Sequence, residues 1–306
     1  MKITNFAILQ GQSITTSDGK LTYDPTIRKN KNEHLLGKTQ TENDDVIDNV
    51  VVRSNAIFGS GSLEFSLKIS SLNTAVILVF KSFDNKRIRC GYSRIWNKFV
   101  IIEDSLNAKP FSMAGSLSNY DLGQELRFKI DVQGSLLTIL INEIILCEAN
   151  ISIKESPLEI NLASDSRFEV YDIKLNKSKP KIFIVMQFSK EYNELYEEVI
   201  KPVSEKFDYE CIRADEFYTG TPIISDIITS IQEATVIIAE ITPDNPNVFY
   251  EIGYAHAVKK PTILLCDKVR EKLPFDLSGF RTLFYENTIA GKRKVELSLT
   301  KYLENI

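Results

Sequence analysis

Asn245-Pro246-Asn247-Val248-Phe249-Tyr250-Glu251-Ile252-Gly253-Tyr254-Ala255-His256-Ala257 is the stretch whose reading decides the fold. Just before it runs Thr235-Val236-Ile237-Ile238-Ala239-Glu240-Ile241, apolar, β-branched and short enough for a buried strand. Residues 242–246 break that strand with two prolines, and Asn247 carries the side chain of a helix N-cap. A helix is therefore predicted to follow, with Glu251 near its first turn, above the carboxyl end of a parallel strand. Open α/β sheets bind ligands there. A helix N-terminus favours negative charge, so Glu251 is expected to be ionised at neutral pH, the state a nucleophilic carboxylate needs.

The pattern continues on both sides. Residues 181–188 (KIFIVMQF) form a continuous apolar run, as expected of a central parallel strand, and Ser189 can cap a helix reaching to about residue 207. Pro202 is expected to bend or divide that helix. A second strand is predicted at 209–214. Thr221-Pro222 then marks a helix start, and Ile223, Ile224, Ile227, Ile228 and Ile231 follow at core spacing. Strands at 261–266 and 281–285 and a helix at 292–303 complete five β-α alternations, hence a five-stranded parallel sheet with right-handed crossovers.

The motif NPNVFYEIGYAHA, with RADE at 213–216 and LPFDL at 273–277, resembles the nucleoside 2-deoxyribosyltransferase-like family. That family is related in fold to TIR domains and recurs in bacterial antiphage defence proteins. The resemblance covers residues 180–306 and implies a flavodoxin-like (TIR-like) sheet. It also implies that Glu251, before Ile-Gly-Tyr-Ala, attacks the anomeric carbon of a nucleoside, and that Asp226 contacts the nucleobase. Two departures stand out: no tyrosine lies near the first strand, and Asn245 stands where the family often has Asp, with Asp244 one step away. N-glycosidic cleavage of a nucleoside, a nucleotide or NAD stays open.

N-glycosidic cleavage needs a group that stabilises an oxocarbenium-like centre and a partner for the departing base. Glu251 and Asp226 are the catalytic candidates, against the plain roles of a helix-start glutamate and a dipole-complementing acid. Asp215 is a candidate for a ribose hydroxyl and Arg213 for a phosphate; an internal Arg213–Asp215 pair is the alternative. Met186, Gln187 and Phe188 are expected to form the pocket floor, with Asp244, Asn245 and Asn247 at its rim. His256 is expected to pack rather than react.

Residues 1–176 read differently. Ser62-Leu63-Glu64-Phe65-Ser66-Leu67-Lys68-Ile69 alternates strictly, and about ten short strands separated by turns such as Asp18-Gly19, Asp84-Asn85, Gln133-Gly134 and Asn142-Glu143 predict an all-β sandwich. Residues 28–45 read as charged loop. The run ELRFKIDVQGSLLTILINEIILCEA (125–149) resembles concanavalin-A-like (laminin-G-like) jelly rolls, which often bind carbohydrate. Tyr92, Trp96 and Tyr120 are candidate sugar-stacking rings, or else ordinary core and rim aromatics. Asn-Lys-Ser-Lys-Pro at 176–180 is a polar hinge, so two domains are expected, 1–176 and 180–306.

Composition limits the partners. Formal charge is −4 with acids and bases mixed, which gives no footprint for duplex nucleic acid or an anionic membrane. Cys90, Cys147, Cys211 and Cys266 lie far apart in apolar runs and read as buried free thiols. With His34 and His256 the only histidines, no metal site is expected, and no cofactor. No run is long enough to span a membrane and Met1-Lys2-Ile3-Thr4 starts no signal peptide, so a cytoplasmic, homo-oligomeric protein is expected. Three functions compete: an N-glycosidase acting on a nucleoside, nucleotide or NAD, plausible as an antiphage effector, with a sandwich that senses, docks to a glycan or protein, or oligomerises; a nucleotide sensor without turnover; and a carbohydrate-binding protein. No GxGxxG or P-loop is present for a pure phosphate site.

Overall fold

A computed structural model describes residues 1–27, 47–68, 70–105, 107, 109–216 and 223–305. The expected loop at 28–45, His34, Ile69 and the Thr221-Pro222 helix start lie outside the described residues. The chain divides into two compact units: Met1–Val132 with Leu137–Ala149 and Ile153–Ser178, and Lys179–Ile306 with the segments Gln133–Leu136 and Asn150–Ser152.

The first unit is a β-sandwich. Its strands are β1 Phe6–Gln10, β2 Ile14–Ser17, β3 Lys20–Tyr23, β4 Val50–Phe58, β5 Gly61–Lys68, β6 Ala75–Ser82, β7 Arg87–Ser93, β8 Lys98–Glu103, β9 Pro110–Ala114, β10 Glu125–Gln133, β11 Leu136–Ile141, β12 Ile144–Asn150, β13 Ile153–Ala163 and β14 Phe168–Lys177. They form two seven-stranded sheets, β1-β4-β13-β6-β7-β8-β9 and β12-β11-β10-β5-β14-β3-β2. The alternation in β5 and β10 sets their register: Leu63, Phe65 and Leu67 face Ile130, Phe128 and Leu126. All six are buried, and the Phe65 and Phe128 rings stack at 4.8 Å. A one-residue slip would turn every one of them to the other face. Asp18 and Gly19 (φ 48 and 77), like Asn142 and Glu143 (φ 50 and 66), adopt the left-handed backbone that two-residue hairpin turns require.

The sequence pattern suggests about ten strands; fourteen are present among the described residues. The additions include β1 and β9, the two edges of the first sheet, whose residues are almost all partly or fully exposed. Edge strands bury too little to carry an alternating signal, and β9 opens with a proline, which an edge tolerates.

The second unit contains β15 Lys181–Val185, β16 Glu210–Arg213, β17 Val236–Glu240, β18 Thr262–Asp267 and β19 Thr282–Tyr285. Its helices are α1 Lys190–Leu195, α2 Lys201–Lys206, α3 Ile223–Glu233, α4 Pro246–Ala257 and α5 Ile289–Leu303. The five strands pair in parallel in the order β16-β15-β17-β18-β19. Ile182, Ile184, Val236 and Ile238 pack on one face against Tyr196, Val203 and Leu299. Phe183, Val185, Ile237 and Ala239 pack on the other against Ile227, Ile231 and Ile252. Burial on both faces explains the unbroken apolar runs.

Pro202 divides its helix as expected. A π-helical turn, Tyr196–Ile200, joins α1 to α2, and its wider ladder accommodates the missing N–H and the ring. α5 begins earlier than predicted, because the Thr288 hydroxyl accepts the Gly291 N–H at 3.1 Å and caps it. A Cβ at Gly291 would lie 1.9 Å from the Glu286 carbonyl oxygen, so that close approach needs glycine.

The chain passes from β15 to β16 on one side and then to β17 on the other. Such a reversal opens a crevice at the carboxyl ends of the strands.

Candidate active site

A cleft of about 540 Å³ occupies that crevice, a volume in the ordinary range for small-molecule sites. Met186, Gln187 and Phe188, following β15, line it, and Asp215, beyond β16, closes one side. Asn245, Asn247, Val248, Tyr250 and Glu251 face it from α4, and Ile223, Ile224 and Ile227 from α3. Its polar lining is thus the Asp215 and Glu251 carboxyls, three side-chain amides and the Tyr250 hydroxyl.

α4 starts two residues earlier than the sequence suggested. Asn245, not Asn247, is the N-cap: its side-chain oxygen accepts the Asn247 N–H at 3.0 Å, and Pro246 takes the first helical position, where its missing N–H costs nothing. The Asn245 amide also reaches the Gln187 side-chain oxygen at 3.5 Å. The earlier start moves Glu251 into the second turn, away from the amides that would hold it ionised. Burial then dominates and raises its pKa from the usual 4.5 to about 7. The expectation of a fully ionised carboxylate is corrected accordingly.

Three other expected site residues stand elsewhere. Asp226, half-buried in the first turn of α3, is not among the residues lining the cleft. Asp244 points outward and pairs with Arg270 at 2.5 Å. Arg213, with a side chain only 6% exposed, donates from Nε to Asp215 Oδ1 at 2.8 Å and from Nη2 to Oδ2, and its guanidinium lies over the Tyr196 ring at 4.4 Å. Phe188 covers it at 5.3 Å, so Arg213 is one layer behind the lining and already engaged. This is the internal pair that the sequence offered as the alternative to a phosphate ligand.

Asp215→Ala would strand a buried guanidinium. We expect a loss of about 3 kcal/mol in the stability of the parallel-sheet unit, read by chemical denaturation. An unchanged transition would contradict the pairing.

The sequence missed the cleft's apolar wall. Ile223 and Ile224 were counted as core, yet they are 67% and 46% exposed and line the cleft. His256 packs as expected, stacked on Phe280 at 3.9 Å, and burial lowers its pKa. The four cysteines are free thiols, and no cluster with metal-ligand character occurs among the described residues. No helix among the described residues is long and apolar enough to cross a membrane.

In the sandwich, Tyr92 is a core residue, fully buried and edge-on to Phe99 at 5.0 Å, which removes it as a stacking ring. Tyr120 is half-buried. Trp96 is exposed and borders a shallow pocket of about 160 Å³ with Arg89 and Asp104.

No family model and no curated protein matches the chain. Among solved structures it is similar to the carbohydrate-binding module CBM66 from Bacillus subtilis, with 11% identity, 56% of this chain and 94% of the module covered, and a TM-score of 0.39. A Bacillus subtilis protein of unknown function with a galectin-like fold is similar at 10% identity, over 56% of this chain and 88% of that one, with a TM-score of 0.38. The CMP N-glycosidase of Clostridium botulinum is similar at 19% identity, over 40% of this chain and 99% of that one, with a TM-score of 0.32.

Proposed function

We propose that the protein cleaves the N-glycosidic bond of a nucleoside, a nucleotide or NAD, with Glu251 as the nucleophile. The observation that carries this is Glu251 itself: a half-buried carboxyl of raised pKa, lining a cleft of ligand size at the reversal point of a parallel sheet, opposite an apolar wall. The strand order is that of flavodoxin-like sheets, whose ligands lie in this crevice.

In the first step a Glu251 carboxylate oxygen bonds to the anomeric carbon while the carbon–nitrogen bond breaks. The base departs with the bonding electron pair; a nucleoside or nucleotide base then takes a proton from water and leaves hydroxide, whereas the nicotinamide of NAD, cationic while bonded, leaves neutral and takes none. A water molecule then attacks the anomeric carbon and gives its proton to hydroxide or bulk water, the ester bond to Glu251 breaks, and the carboxylate is regenerated. Asp215, held by Arg213, is positioned to accept a sugar hydroxyl. The isoleucine wall with Phe188 and Tyr250 suits the faces of a planar base. Asp226 has no step here. We assign the sandwich a sensing or docking role, with Trp96 as the exposed ring that a sugar or protein ligand would meet.

A second reading has its own support. A carboxyl whose pKa is raised toward neutrality is also available as a hydrogen-bond donor when protonated, which suits a sensor that binds a nucleotide without turnover. Incubating the full-length protein with nucleosides, deoxynucleosides, their monophosphates and NAD, and measuring free base, separates the two. Release of base supports the enzyme. Binding without release from every member of the panel supports the sensor.

A further inference from the structure

Glu251 and Asn245 both depend on how the chain leaves β17 and enters α4, and the five residues between, 241–245, are held from two sides. On one side is Glu240, the last residue of β17 and 1% exposed. Its Oε1 accepts the Thr242 N–H at 2.7 Å and the Thr242 hydroxyl as well, and its Oε2 accepts the Tyr285 hydroxyl at 3.2 Å. Thr242 Oγ1 in turn accepts the Asp267 N–H at 2.7 Å, tying the loop to the end of β18.

On the other side is Arg270, in the turn after β18, with a side chain 11% exposed. Its Nη1 donates to the Ile241 and Thr242 carbonyls at 3.0 and 2.8 Å, and its Nη2 to Asp244 at 2.5 Å. Its Nε is fixed by the Lys272 carbonyl at 2.9 Å. The guanidinium carbon also lies 5.8 Å from the ring of Phe249, two residues before Glu251 on α4.

We propose that Arg270 is a positioning residue of the cleft: it holds the loop and the first turns of α4 so that Asn245 and Glu251 face the ligand. Four acceptors on two segments, the 241–245 loop and Lys272, meet a single planar group. A guanidinium has a rigid fork of donors that fits them, whereas a lysine ammonium, one nitrogen on a flexible stem, does not. Arg270 itself is not among the cleft-lining residues. It acts through the loop and the helix turn it holds.

The proposal rests on reading the cleft as the functional site, and its test separates the two. Amide exchange is measured by NMR in the full-length wild type, Arg270→Ala and Arg270→Lys, with and without free guanidinium at non-denaturing concentration. In Arg270→Ala the Thr242 and Asn247 amides are expected to exchange at least about tenfold faster, while Ile237 and Ile238 in β17 keep their protection. Guanidinium restores the alanine variant, and Arg270→Lys stays fast. If the alanine variant does not fold, the lysine variant is read alone against the same amides. Unchanged exchange at Thr242 and Asn247 in a folded variant, or loss spread evenly through β17, overturns the proposal.

Base release is measured in parallel. In a working enzyme Arg270→Ala is expected to lower kcat by about 100-fold with KM changed less than about threefold, since a shift of an ångström at the reacting group is enough. A wild type that releases base beside an Arg270→Ala variant of equal kcat sinks the positioning role and leaves the N-glycosidase standing. A wild type that releases none, with the exchange result as expected, does the reverse.

Discussion

Glu251→Gln should reduce base release at least 100-fold, about 3 kcal/mol of barrier, while ligand binding changes little. The amide keeps the shape of the side chain on α4 and removes the oxygen nucleophile. Most contacts to an intact ligand would come from the other lining residues, such as Phe188, Ile224 and Tyr250, which the substitution leaves in place. Unfolding would not account for the loss. Burial raises the folded pKa of Glu251 from 4.5 to about 7, so its contribution to stability is full below about pH 4.5 and falls away as pH rises to 7. Above pH 7 the wild type carries a buried charge that the variant lacks, and the variant should be at least as stable. A variant whose rate is within about threefold of wild type would remove Glu251 as nucleophile.

The second large effect is on pH. If the reactive form is the carboxylate, kcat/KM should rise with pH along a limb centred near 7, the value to which burial pushes Glu251. Between pH 7.5 and 5 the ionised fraction of such a group falls by about 75-fold, and the rate should follow. A glutamate at its ordinary pKa would still be mostly ionised at pH 5, and the profile would be almost flat. Glu240 is also raised to about 7 by burial. It lies in a hydrogen-bonded cluster with Thr242 and Tyr285 rather than in the cleft lining, so Glu240→Gln should leave the limb where it is. A flat profile from pH 5 to 8 would contradict the assignment.

Much of the parallel-sheet unit was legible because its information is local. Apolar runs gave the strands, and the Asn-Pro-Asn stretch gave a helix start accurate to two residues. The slip has a definite cause: both Asn245 and Asn247 can cap, and the choice falls to Pro246, which fits the first turn better than the position before a cap. The pocket floor was legible too, because the carboxyl end of the first strand lies at the crevice in any sheet of this order.

What stayed hidden was non-local. Arg270 reads as one more charge in a polar loop, and its acceptors lie up to 29 residues away in sequence. Glu240 reads as an interruption in an apolar run, and its partner Tyr285 is 45 residues on. Ile223 and Ile224 share the composition of core residues, and nothing in their spacing tells an apolar wall facing a ligand from one facing the sheet. In the sandwich, β1 and β9 escaped notice for the opposite reason, since their pattern is weak wherever the strand lies at an edge.

The central claim is that a bond forms between Glu251 and the sugar, and trapping that bond tests it most directly. An analogue of whichever nucleoside or nucleotide releases base, fluorinated at the sugar 2′ position to slow the second step, is incubated with the protein, which is then digested and mapped by mass spectrometry. The account predicts a glycosyl adduct on the peptide containing Glu251, absent in Glu251→Gln. An adduct on Asp215 or any other carboxylate, or base release from the analogue with no adduct at all, would contradict it.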